Sequence, residues 1–192
     1  INTVYKVQME GLMRLKAMAK INLGLDVLGK REDGYHEVRM IMQTIRMYDI
    51  LDIRKTRRPG IVLTTNLPFI PTDQRNLVYK AAQMLMEEFD VEEGLSIKLR
   101  KFIPVAAGMA GGSSDAAAAF VGVNRMFHLG LTEEQLMERA VKVGADVPYC
   151  IMRGTALAEG IGEKLTRLPE VPKCYVLIGK PGINVSTKTA YE

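Results

Sequence analysis

PVAAGMAGGSSDAAAA, residues 104–119, is made of glycine, alanine and serine in all but four places: Pro104, Val105, Met109 and Asp115. The rest of the chain has ordinary composition, 47% hydrophobic and 25% charged. A flexible linker would explain small residues, but the neighbours exclude it. Residues 95–100 alternate apolar and polar like a strand, and Ala116, Phe120, Val123 and Phe127 follow at helical spacing without a gap. The expectation is strand, loop, then a helix from Ser114 to about Phe127. Gly108, Gly111 and Gly112 are expected to admit left-handed backbone angles and close approach of a ligand. Ser113 and Ser114 are expected to cap the helix and offer hydroxyls. Open N–H groups and the helix dipole at that end favour an anion. The chain contains neither G-x-x-x-x-G-K-[ST] nor G-x-G-x-x-G. The segment therefore reads as a backbone cradle for a polyphosphate, although a tight strand–helix turn would also use glycine.

Outward from this loop, strands and helices interleave irregularly. Leu15–Val27 alternates with period two and puts Lys20 and Asn22 on one face. Residues 29–34 form a turn, and 36–45, 48–54 and 61–65 read as strands. Asn76–Phe89 reads as a helix with Val78, Ala81, Ala82, Leu85 and Phe89 on one side. Thr132-Glu-Glu-Gln135 is a capping-box pattern opening a helix that Gly144 closes. Short strands are expected at 149–152, 154–158 and 174–179. The order predicts a two-layer α+β domain rather than a regular parallel doubly wound sheet. Residues 1–12 read as a leader or arm before the first strand.

The chain has 192 residues and a net charge of +4. No apolar run reaches the roughly 20 residues of a transmembrane helix. No basic start followed by an apolar core suggests a secretory signal, and Cys150 and Cys174 have neither disulfide-framework nor metal spacing. Both cysteines read as buried free thiols, and a cytoplasmic setting is expected. The basic cluster Arg54–Arg58 precedes Pro59-Gly60 and reads as a solvated turn. No aromatics interleave with its charges, so nucleic acid is not the expected partner, nor is a membrane.

Three segments together, AKINLGLDVLGKREDGYHE (19–37), PVAAGMAGGSSDAA (104–117) and GADVPYC (144–150), resemble the GHMP kinases. Within them they resemble the kinases of 4-diphosphocytidyl-2-C-methyl-D-erythritol in the non-mevalonate isoprenoid pathway. The likeness runs over about residues 13–191. It implies a lobe like the second domain of ribosomal protein S5 over residues 13–160, with a left-handed βαβ crossover. Residues 161–192 would begin a second α/β lobe that family members continue. It also implies ATP with accompanying magnesium, and phosphorylation of the tertiary C2 hydroxyl of a cytidine-diphosphate-linked methylerythritol. Met18 stands where the family usually has proline, and Ala107 and Ala110 stand where it often has glycine. Kinases of other small alcohols, such as homoserine or mevalonate, are the alternative within the family. A noncatalytic S5-like nucleic-acid module is the alternative outside it.

The resemblance assigns residues as follows. Asp146 would accept the hydroxyl proton and Lys20 would hold that carboxylate and offset charge on the phosphoryl oxygens; without the resemblance Asp146 reads as a turn or cap residue and Lys20 as a surface lysine. Pro104, Val105, Ala106, Ala107, Gly108, Met109, Ala110, Gly111, Gly112, Ser113 and Ser114 would form the ATP loop, with Asn76 and Lys101 on its adenine and phosphate side. An N-cap asparagine and a solvated lysine compete for the last two. Asn22 would hydrogen-bond the substrate, while Tyr35, His36 and Tyr191 would recognise the cytidine. No residue is expected to ligate a metal directly. Asp115 reads as a first-turn helix aspartate, and His128 as a complement to a helix C-terminus.

Overall fold

The computed structural model describes residues 11–180 and Gly182. Tyr191 and residues 1–10 lie outside this range; Leu12, expected in the leader, already belongs to the first strand. The elements are β1 (Leu12–Lys30), β2 (His36–Thr56), β3 (Ile61–Thr65), α1 (Leu77–Glu88), β4 (Gly94–Arg100), α2 (Gly111–Met126), α3 (Glu133–Ala140), α4 (Val147–Met152), β5 (Thr155–Gly160) and β6 (Lys164–Arg167).

The two runs expected at 36–45 and 48–54 are one long strand, β2, and it organises the sheet. One of its edges pairs antiparallel with β1 along nearly its whole length. The other edge is shared: residues 38–43 pair with β5 and residues 50–56 with β4. Between these ladders no described strand pairs with residues 44–49 on that side. β3 lies parallel to β4, the two being joined through α1, and β6 closes the far side against β5. The result is a mixed α+β sheet carrying helices.

Period two explains how β2 faces the core: Asp49, Leu51 and Ile53 are each 0% exposed. The helices bury their apolar stripes over that face. α1 contributes Val78, Ala81, Ala82 and Leu85, and α2 contributes Phe120 and Val123. Ala116–Ala119 are all within 2% of complete burial, and a Cβ on Gly122 would sit 2.4 Å from Ile53 Cδ1 and 2.8 Å from Leu15 Cδ1. The small residues after 115 thus let α2 lie directly on the sheet, while those before it shape the loop. Asn76 caps α1, its Oδ1 accepting from Val78 N at 2.9 Å. The Thr132 capping box forms, with Thr132 Oγ1 accepting from Gln135 N at 3.2 Å and Gln135 Oε1 from Thr132 N at 2.9 Å.

Several expected elements differ. Residues 149–152 are the end of α4, a buried helix started by Pro148 in its first turn, not a strand. Residues 174–179 form no strand: no described strand lies beside them, and Tyr175 and Leu177 are fully exposed. For the same reason Cys174 is exposed; only Cys150 is buried. His128 lies beyond the helix end in a left-handed conformation, φ 54°.

Candidate active site

The site forms where the sheet is interrupted. The ladder is irregular between Met18 and Lys20, where Ala19 of β1 faces three β2 residues, 45–47, and pairing resumes at Lys20↔Thr44. The freed Lys20 N–H donates to Met109 O at 3.2 Å, tying β1 to the glycine-rich loop. On β2, Thr44 accepts from Gly154 N at 3.1 Å through Oγ1 and lies 3.0 Å from Tyr149 Oη, while that phenol donates to Gly154 O at 2.7 Å. These bonds fix both ends of the segment after α4 against the gap in β2. Burial pushes the Tyr149 phenol and the Cys150 thiol well above their ordinary pKa values, so neither ionises readily.

Lys20 is 5% exposed. Its Nζ donates to Asn22 Oδ1 at 3.0 Å and lies 3.6 Å from Asp146 Oδ2. Asp146 is the residue before α4, yet its side chain makes no capping bond and its carboxylate stays partly open to solvent. A cation in a buried setting beside an accessible carboxylate is an arrangement suited to orienting a hydroxyl and stabilising charge on it.

A cleft of about 380 Å³ is linked to β1 through Met109, which lines it and whose C=O accepts the Lys20 N–H. It is lined by residues 104–113, by Asn76 and Lys101, and by Ile70, Pro71, Arg75 and Leu77 around the start of α1. The N–H groups of Gly111, Gly112 and Ser113 meet no acceptor among the described residues, leaving the start of α2 open towards an anion. The left-handed turns that shape the loop fall at Ala106 (φ 54°), Gly108 (φ 68°) and Ala110 (φ 53°). Of the three glycines expected to supply them only Gly108 does so; Gly111 and Gly112 are helical because α2 begins three residues before Ser114. The residue at the N-cap position is Ala110, and neither serine caps the helix. Ser114 instead donates to Gly111 O at 3.0 Å and is buried away from the cleft. Asn76 lines the cleft while its amide is engaged, donating to Pro71 O at 2.8 Å as well as capping α1.

Lys101 lines the cleft as the resemblance implies, but both it and Asp115 are buried rather than solvated. Lys101 is 8% exposed, and Asp115 is 2% exposed in the second turn of α2. Lys101 Nζ donates to Asp115 Oδ2 at 2.6 Å and to Asp49 Oδ2. Asp49 Oδ1 accepts from Ile103 N at 2.8 Å and from Phe102 N at 2.5 Å, so this carboxylate replaces a missing strand in the gap of β2. Burial, opposed by Lys101 and reinforced by Asp49, raises the pKa of Asp115 well above the usual carboxylate range. Asp49 was not anticipated; the signal was an aspartate in phase with Leu51 and Ile53 on the core face of a strand.

Tyr35 and His36 lie at the tip of the β1–β2 hairpin, Tyr35 exposed and His36 half-buried. His36 is eight residues along β2 from Thr44, the register partner of Lys20, an extended reach of at most about 29 Å. Tyr191 lies outside the described residues. Among the described residues no cluster of three or more His, Cys, Asp or Glu could hold a metal ion, and no helix is long and apolar enough to cross a membrane.

Residues 76–154 match the GHMP kinases N terminal domain. The chain is 58% identical over 180 residues to a 4-diphosphocytidyl-2-C-methyl-D-erythritol kinase of Lachnospira eligens, covering 94% of this chain and 62% of the relative. The protein of that name from Lachnoclostridium phytofermentans is 58% identical over 181 residues, with the same coverages. Among solved structures, a 4-(cytidine 5'-diphospho)-2C-methyl-D-erythritol kinase superposes with a TM-score of 0.71 at 35% identity, over 81% of this chain and 55% of that one. The chain thus spans about 62% of the length of the curated relatives it matches.

Proposed function

We propose that the chain is a GHMP kinase, the nucleotide-binding part of an ATP-dependent kinase acting in the cytoplasm on the C2 hydroxyl of 4-diphosphocytidyl-2-C-methyl-D-erythritol; the family match over residues 76–154 and the relatives of that name support the reading. Residues 13–160 form the nucleotide lobe in this reading, and residues 161–192 begin the second. The observation that carries it is the Lys20–Asp146 pair, 3.6 Å apart, with Lys20 on a strand bonded to the loop that precedes α2.

ATP supplies the phosphoryl group. The free N–H groups of Gly111, Gly112 and Ser113, with the dipole of the 16-residue α2, hold its phosphates. Magnesium would accompany those phosphates, where it would neutralise charge on the phosphoryl oxygens. Asp146 takes the hydroxyl proton, its partly open carboxylate being the acceptor beside Lys20. Lys20 keeps that carboxylate oriented and offsets negative charge on the phosphoryl oxygens. Asn22 holds Lys20 Nζ and faces the same side. Tyr35 and His36, at the hairpin tip, take the cytosine, so the substrate runs along β1 from base to reacting hydroxyl. ADP release measured with and without the cytidine diphosphate substrate tests the reading: release that does not depend on that substrate would contradict it.

A further inference from the structure

The buried cluster Asp49–Lys101–Asp115 is larger than the fold needs. Asp49 is accounted for, since its Oδ1 accepts two loop N–H groups and its Oδ2 the lysine. Lys101 is anchored at its backbone as well, its N–H donating to Asn66 Oδ1 at 2.8 Å and its C=O accepting from Asn66 Nδ2 at 3.1 Å. One carboxylate would neutralise the ammonium. The second, Asp115, spends Oδ2 on Lys101 and leaves Oδ1 buried without a hydrogen-bond partner. An unsatisfied buried carboxylate oxygen is costly, so a purely structural role would be served better by an apolar residue.

The position of the ammonium explains the second carboxylate. Lys101 and Asp115 both line the cleft. A Cβ placed on Gly111 would lie 3.2 Å from Lys101 Nζ, so the charge rests directly against the first turn of α2, where the free N–H groups are. Asp49 alone would leave the long side chain free to turn about one contact. Asp49 from β2 and Asp115 from α2 hold it from two elements at once.

We propose that Asp115 is a positioning residue for nucleotide binding, acting through Lys101: it fixes the ammonium against the first turn of α2, where it adds to the attraction for the phosphates. The proposal rests on the reading of that turn as the ATP phosphate site. It goes beyond the phosphate loop itself, because Asp115 does so without touching the nucleotide. Its ion pair is with Lys101, at 2.6 Å, and its other charged neighbour is Asp49, the second anchor of the same ammonium.

The test is ATP affinity, read by calorimetric titration on the 192-residue chain, for four proteins besides the parent: Asp115→Leu, Asp115→Asn, Lys101→Met and the double variant Asp115→Leu/Lys101→Met. Asp115→Leu leaves Asp49 and Lys101 as a neutral pair, so the chain folds; affinity should fall on the order of tenfold, the loss of one charge-assisted contact. Asp115→Asn keeps an acceptor for Lys101 and should bind ATP within about twofold of the parent. In the Lys101→Met background, Asp115→Leu should change affinity less than about twofold, because its route is gone. Equal losses from Asp115→Leu in both backgrounds would overturn the proposal, as would parent-like binding by Asp115→Leu. So would Asp115→Asn binding as weakly as Asp115→Leu, a comparison that stands even if Lys101→Met does not fold. Failure of the parent to bind ATP would instead remove the phosphate-site reading beneath it.

Discussion

Adding one methyl group at Gly111 should weaken ATP binding, whereas adding it one residue later should leave the fold undisturbed. A Cβ at Gly111 meets Lys101 Nζ and Ile103 Cγ2 at 3.2 Å and Ile103 Cβ at 3.4 Å. Comfortable contacts between such atoms begin near 3.5 Å, so both neighbours must retreat by a few tenths of an ångström. Ile103 is 2% exposed and packed with Ala19 and Met109, and Lys101 is held by two carboxylates. Neither moves freely. Overpacking of this kind costs about 1–3 kcal/mol, partly offset by the gain of up to about 1 kcal/mol from replacing glycine in a helix. The displaced ammonium and loop should raise the Kd for ATP about tenfold, or about 1.4 kcal/mol. At Gly112 the new Cβ would rest 3.8 Å from Leu77 Cδ1, an ordinary contact, and Gly112 is helical, so Gly112→Ala should melt no lower than the parent. The assay is titration with ATP beside a thermal melt of each protein. Gly111→Ala binding ATP as the parent does, while melting normally, would refute the account of a close-packed phosphate turn.

Lys20 and Asp146 should act as a unit. In a protein extended to the length of the relatives and shown to turn over, Asp146→Asn and Lys20→Met should each lower single-turnover phosphoryl transfer by roughly 10²-fold or more. The double variant should be little worse than the worse single one; strictly multiplicative losses would mean independent roles. Arg153 follows α4 at φ 59°, ψ −177°, a region that favours glycine, while its guanidinium donates to Lys16 O at 3.0 Å. Arg153→Gly relieves about 1–3 kcal/mol of strain at the loss of about 1 kcal/mol of hydrogen bonding, whereas Arg153→Ala keeps the strain and loses the bond. The glycine variant should therefore melt higher than the alanine variant, and the reverse order would show that no strain is stored there. Asp115 carries a raised pKa in the folded chain, so the folded state binds more protons than the unfolded one. Its contribution to stability then falls as pH rises from the unfolded carboxylate value towards the folded one. Asp115→Asn should consequently gain thermal stability over the parent at neutral pH and lose that advantage below the unfolded pKa near 3.9, which melting curves across pH would check.

The sequence made the strand–loop–helix around residues 104–119 legible, because alternation, glycine and helical spacing abut there without overlap. It also made α1 and α3 legible through their caps, Asn76 and the Thr132 box. It misassigned residues 149–152, since a buried helix of six residues has no polar face and so no helical period to read. Residues 174–179 have the composition of a strand, but a strand needs a neighbour, which composition does not supply. In the site, Lys20 and Asn22 were paired by alternation, and their contact at 3.0 Å is local. The approach of Lys20 to Asp146, separated by 126 positions in the sequence, was implied by resemblance rather than by pattern. Serine before a helix suggested a cap at 113–114, yet the left-handed Ala110 let the helix begin earlier and turned Ser114 inward. A solvated reading competed for Lys101 because its two carboxylate partners come from β2 and α2, distant in sequence.

The central claim is that this lobe serves phosphoryl transfer from ATP to the C2 hydroxyl of 4-diphosphocytidyl-2-C-methyl-D-erythritol. The most direct measurement follows ADP formation together with the phosphorus spectrum of the product, using a protein extended to the length of the relatives. The account predicts ADP formed in step with a new phosphomonoester on the C2 hydroxyl, both abolished when the cytidine diphosphate substrate is left out. ADP formed at the same rate without that substrate, or a phosphomonoester appearing instead on homoserine or mevalonate when all three alcohols compete, would contradict it.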